Sequence, residues 1–127
     1  MNKRTLMIGI LASLTALVPL AATAGANDAD VRKAGSCTGN TSAKIKLSPE
    51  DGRIETEFEV DQNRTGVTWQ VVLRANGKVA ARAQATTRGA SGSFELRRVL
   101  DGGQGTNTIS ARAVSPTGEV CTASASI

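Results

Sequence analysis

Ala43-Lys44-Ile45-Lys46-Leu47-Ser48-Pro49-Glu50-Asp51-Gly52-Arg53-Ile54-Glu55-Thr56-Glu57-Phe58-Glu59-Val60 consists of two alternating apolar and charged runs joined by a turn. A side-chain period of two marks a half-buried strand. Ala43, Ile45 and Leu47 share one face against Lys44 and Lys46, and Ile54, Thr56, Phe58 and Val60 share one against Glu55, Glu57 and Glu59. Residues 48–52 are turn formers. Facing Leu47 with Ile54 aligns both apolar rows and sets Lys46 opposite Glu55 and Lys44 opposite Glu57, so pattern and charge agree on an antiparallel hairpin.

The same period recurs toward the C-terminus. Val67, Trp69, Val71 and Leu73 form an apolar row, and after Ala75-Asn76-Gly77 come Val79, Ala81, Ala83 and Ala85. A two-residue Asn-Gly turn would set Val71 against Arg82 and bury an arginine. A three-residue loop with Gly77 at positive φ pairs Leu73 with Val79, Val71 with Ala81 and Trp69 with Ala83, and is the expectation. Small partners leave room for the Trp69 ring. Further inward rows are Phe94 and Leu96, then Ile109, Ala111 and Ala113, then Cys121, Ala123, Ala125 and Ile127. Ser115-Pro116-Thr117-Gly118 fits a type I turn, and residues 101–105, with three glycines, are expected to be the most flexible internal segment. The expected fold is all-β: seven antiparallel strands in a sandwich over residues 37–127.

The first residues carry an address. Lys3 and Arg4 precede an apolar run over residues 6–18, Pro19 breaks it, and Ala22-Thr23-Ala24 is a small-x-small cleavage site. Residues 1–24 read as an export signal, with cleavage after Ala26 as the alternative, and residues 25–36 as a flexible leader. The expected product is secreted, with no membrane association after cleavage. Removing Lys3 and Arg4 from the 15 basic residues leaves 13 against 11 acids, a net charge of +2, too small to argue for nucleic acid. In an oxidising compartment the two cysteines, Cys37 and Cys121, are expected to form one disulfide, with free thiols or an intermolecular bridge as alternatives.

Seven short strands with an inward Trp69 on the third resemble the immunoglobulin-like and fibronectin type III-like sandwiches. The chain has no Tyr, so it departs from the tyrosine-corner pattern, and its cysteines are not at the usual inter-sheet positions. It is also similar in outline to small exported bacterial proteins of unknown function, a resemblance that implies no catalytic residues.

There is no His, which removes the commonest general base and metal ligand. Glu55, Glu57 and Glu59 are expected on a solvated, ion-paired face rather than as an acid/base set. Asp61-Gln62-Asn63-Arg64-Thr65-Gly66 matches half of a calcium loop, but Val72 stands where a bidentate Glu belongs, so an ordinary loop is expected and no metal or cofactor is implied. Asn40-Thr41-Ser42 and Asn63-Arg64-Thr65 are sequons, expected to be unused given the bacterial look of the composition. Trp69, Phe58 and Phe94 all fall on inward positions, which argues against exposed aromatic platforms for sugars or single-stranded nucleic acid.

Charge is uneven along the chain. Residues 50–61 hold six acids and one base, and residues 64–98 hold seven bases and one acid. On the sheet expected from the third, fourth, sixth and seventh strands, the outward set is Thr68, Gln70, Val72, Arg74, Arg82, Gln84, Thr108, Ser110, Arg112, Thr122, Ser124 and Ser126, with no acid among them. Arg74, Arg82 and Arg112, with Thr68, Gln70, Thr108 and Ser110, are the ligand-face candidates. The function expected is a non-catalytic secreted binding module for an anionic envelope polymer or an exported protein. The alternative is a structural protein self-associating through strand edges.

Overall fold

The computed structural model describes residues 29–127, so the expected export signal at 1–24 and the first leader residues lie outside the described residues. Nine strands follow in order: β1 (Val31–Ala34), β2 (Ser36–Cys37), β3 (Ser42–Glu50), β4 (Arg53–Asp61), β5 (Thr68–Ala75), β6 (Lys78–Thr86), β7 (Ser93–Leu100), β8 (Thr108–Val114) and β9 (Val120–Ser126). They form two antiparallel sheets, β1-β3-β4-β7 and β2-β9-β8-β5-β6. Among the described residues no helix is long and apolar enough to cross a membrane.

The inner faces of the two sheets share one core. Ile45, Leu47, Phe58 and Val60 come from one sheet, and Trp69, Val71, Leu73, Ile109 and Ala113 from the other, all buried. Phe94 bridges them, with its ring centroid 6.2 Å from Phe58 and 6.4 Å from Trp69. Trp69 is fully buried, and its indole N–H donates to Gln62 Oε1 at 3.2 Å, so the ring's one polar group is satisfied.

The strand count corrects the sequence reading. β1 and β2 lie largely within the stretch taken as a flexible leader. Their residues lack a core period because they pair along sheet edges, where most outer positions are wet: Val31 lies opposite Leu47 and Cys37 opposite Cys121. The chain passes from one sheet to the other at Gly35, whose N–H donates to Ala43 O at 2.8 Å. A β-carbon there would overlap the Thr122 carbonyl oxygen, so the crossing requires glycine. Asp30 fastens the start of β1: its side chain is 4% exposed and lies 3.6 Å from both Arg32 and Lys46. The Ser48 hydroxyl, reinforced by Lys46 and Arg32, holds the Asp30 carboxyl below its ordinary pKa against the cost of burial.

Both hairpin registers differ from the expected ones by two residues over most of their length, which preserves the faces there. In β3-β4, Leu47 faces Thr56 and Pro49 faces Ile54, while Lys46 and Lys44 face Glu57 and Glu59. The turn is the two residues Asp51 and Gly52, with φ 46° and 77°, the hand that suits the strand twist. The pair flanking such a turn is the hydrogen-bonded one, so Pro49 falls at a non-bonded position, where its missing N–H costs no ladder bond.

In β5-β6 the turn is Asn76-Gly77, with φ 52° and 82°, rather than the expected three-residue loop. The register shifts between Leu73 and Arg74, which pair with Ala81 and Val79, leaving Ala80 as the extra residue of a bulge. The bulge restores the phase that a plain two-residue turn would lose. Ala81, Ala83 and Ala85 face Leu73, Val71 and Trp69, and Arg82 stays outside. Val79, expected inward, is 46% exposed.

The 101–105 loop, expected to be the most flexible internal segment, is exposed but fastened at Gly103 and Gly105. Asn107 is buried; its Oδ1 accepts from Gly103 N at 2.7 Å and Asn76 Nδ2 at 2.9 Å, and its Nδ2 donates to Gly103 O at 2.9 Å. One amide side chain thus ties this loop to the β5-β6 turn.

Candidate functional site

β5, β6, β8 and β9 turn alternate residues into the core and leave the others on one continuous outer face. The registers order that face into rows across the sheet. One row runs Ser36, Thr122, Arg112, Val72, Arg82, and the next runs Ser124, Ser110, Arg74. Arg82 and Arg112 therefore flank Val72, two strand spacings or about 10 Å apart. Arg74 lies diagonally from Arg112 at about 7–8 Å.

Arg82 and Arg112 are exposed, Arg74 is half-buried, and none of the ion pairs among the described residues uses any of the three. The opposite sheet behaves differently. Glu55, Glu57 and Glu59 are paired to Arg97 at 2.7 Å, Lys46 at 3.4 Å and Lys44 at 3.6 Å. The three outward glutamates of the acidic stretch 50–61 are thus each matched by a neighbouring base, whereas the three arginines of the opposite face have no ion pair among the described residues. Glu55 is also 8% exposed rather than solvated, and the Arg97 guanidinium that bonds it holds its carboxyl below the ordinary pKa despite burial.

The remaining candidates separate by their hydrogen bonds. Thr68 Oγ1 and Thr86 Oγ1 lie 2.9 Å apart, as do Thr108 Oγ1 and Ser126 Oγ, so both hydroxyls named at the ends of the face bond to neighbours. Ser110 sits between Arg74 and Ser124, and Gln70 lies outward opposite Gln84. A shallow trough of about 450 Å³ is lined by Ser36, Arg74, Ser110, Arg112, Thr122 and Ser124 and bounded by Ala34 and Gly35. The sequence reading set Thr122 and Ser124 outward but did not select them, and it missed Ser36. Alternation back from Cys37 was the available signal for Ser36, hidden by the assignment of residues 25–36 to a leader.

Two other constellations resolve structurally. Asp61 Oδ1 accepts from Asn63 N at 3.3 Å, Gln62 Oε1 accepts from Trp69 Nε1, and Gly66 N donates to Thr87 O at 2.8 Å, so this loop is tied to its own backbone, to the core ring and to the segment after β6. Cys37 and Cys121 are bonded to each other, directly across β2 and β9. Glu119 lies with both sulfurs inside a 4.8 Å group, but the disulfide leaves that group one carboxylate and no thiolate.

No family model and no curated protein sequence matches this chain.

Proposed function

We propose that this chain is an exported, non-catalytic domain of fibronectin type III-like wiring that binds an anionic envelope polymer through the outer face of β5, β6, β8 and β9. The observation that carries the reading is the cluster of Arg74, Arg82 and Arg112, without ion-pair partners among the described residues, on a face whose outward strand positions hold no acid. Guanidinium groups are weakly hydrated, fork-shaped donors suited to oxyanions. Positions on strands hold them at fixed spacing, which lowers the ordering cost of binding.

The wiring supports the fold assignment: hairpin β3-β4, crossover to hairpin β5-β6, return of β7 beside β4, and a closing hairpin β8-β9. The disulfide is compatible with an oxidising, extracellular compartment. A histidine-free sequence, bonded sulfurs and ion-paired glutamates favour binding over catalysis. Polymer binding is favoured over edge-to-edge assembly because edge strand β6 carries Lys78, Arg82 and a bulge, devices that discourage strand addition.

The test is retention of the mature domain on native cell envelope across a salt series. The expected outcome is retention that falls steeply as salt screens the face, and that is lost in the Arg74→Ala, Arg82→Ala, Arg112→Ala triple variant. Salt-insensitive retention, or retention unchanged in the triple variant, defeats the reading.

A further inference from the structure

We propose that this face contains a defined subsite, formed by Arg74, Ser110, Arg112, Thr122 and Ser124, that takes a tetrahedral oxyanion, phosphate or sulfate, carried on the polymer. The inference rests on the reading of the face as a polyanion surface and narrows it to one place and one anion geometry.

The hydroxyls locate the subsite. Those toward the two ends of the face bond to one another, Thr68 with Thr86 and Thr108 with Ser126, both at 2.9 Å. The hydroxyls between them, Ser110, Thr122 and Ser124, hold no side-chain hydrogen bond among the described residues. They lie among the two arginines that share the trough: Ser110 is directly opposite both Arg74 and Ser124, and Arg112 is directly opposite Thr122. Arg82, across Val72, lies outside the trough. Unused donors of both kinds therefore coincide within one concavity of about 450 Å³, whose end is formed by the chain at Ala34 and Ser36.

Donor number selects the anion. A carboxylate offers two coplanar oxygens, which one arginine fork occupies in a bidentate pair. A second arginine and three hydroxyls exceed that capacity and match the larger acceptor count of a phosphate or sulfate ester, whose three outer oxygens can all be met from one side. The strands fix the positions of these groups on one face without loop ordering, and the diagonal separation of Arg74 and Arg112, about 7–8 Å between strands, is within the reach of two long side chains converging on one ion.

The test uses the oxidised mature domain. Its amide NMR spectrum is followed with sodium phosphate, sulfate and acetate at constant ionic strength, and its affinity is measured for polyphosphate, dextran sulfate and polygalacturonate. Phosphate or sulfate is expected to shift the amides of residues 110–112 and 122–124, with acetate silent there, and whichever tetrahedral anion binds tighter identifies the source. Ser110→Ala with Ser124→Ala is expected to weaken binding of that polymer by at least about tenfold, the worth of a single hydrogen bond to a charged group. Arg82→Ala is expected to weaken it less than about threefold, because a charge outside the trough acts only through a screened field. An unchanged spectrum in the absence of anions verifies that each variant is folded.

Equal affinity for polygalacturonate, amide shifts scattered over all surface arginines, or an unaltered double-serine variant overturns the subsite. If those results accompany salt-sensitive envelope retention that the triple arginine variant loses, the basic face stands and only the oxyanion geometry fails. Absence of arginine-dependent retention, by contrast, removes the broader reading.

Discussion

Thr56 and Trp69 show how one burial pattern hides opposite chemistry. Both are fully buried, but the Trp69 N–H reaches Gln62, whereas Thr56 Oγ1 has no hydrogen-bond partner among the described residues. A buried unpaired hydroxyl costs on the order of 1–3 kcal/mol, so Thr56→Val, similar in shape, is expected to raise stability by about 1 kcal/mol. Equilibrium urea unfolding checks this, and a loss of stability would mean that the hydroxyl is satisfied in solution. Alternation alone placed Thr56 inward beside Phe58. Whether its oxygen finds a partner depends on neighbours from other strands, Leu47 and Arg98, which a linear pattern does not supply. Asn107 was illegible for the same reason: its bonds run to Asn76 and to a loop whose glycines suggested looseness.

At the level of elements, β1 and β2 act as a strap joining the edges of the two sheets, with Cys37–Cys121 as its covalent fastening. A crosslink between residues 84 apart restricts the unfolded chain; in the chain-entropy account it is worth about 4 kcal/mol. Replacing Cys37 and Cys121 together by Ala is expected to lower unfolding free energy by about that amount, read by chemical denaturation. Hydrogen exchange in the same variant is expected to show β1 and β2 losing protection before β4 and β5, because these short strands are then held only by one edge ladder each, the Asp30 ion pairs and the Gly35 and Thr38 bonds. Uniform loss across both sheets would contradict the strap. The hairpins show the limit of sequence reading at this scale. Faces follow from a period of two, but register depends on turn geometry: Asp51-Gly52 and Asn76-Gly77 both form two-residue turns, and a bulge at Ala80 corrects the second. Shifts of two leave the facing unchanged and are therefore invisible to hydrophobic pattern; only beside the second turn, beyond the bulge, does a residue, Val79, change sides.

Across the whole molecule, the two outer faces differ in how their charge is held, and this sets the response to acid. Asp30 and Glu55 have carboxyls below their ordinary pKa, the first through Ser48, Lys46 and Arg32 and the second through Arg97. A folded-state pKa depressed below the unfolded value gives stability that is present above the unfolded carboxylate range and is lost as pH falls through the folded value. Thermal stability is therefore expected to hold at neutral pH and decline below about pH 4, with a shallower decline in Asp30→Asn and Glu55→Gln. Equal acid sensitivity in those variants and the parent would place the responsible groups elsewhere. The sequence by itself determined the all-strand character, the inward rings and the residues of the basic face, because alternation needs only local geometry. The tertiary structure decided the two extra strands, the registers, and which charges and hydroxyls remain unpaired, because these depend on neighbours that the chain brings together only when it folds.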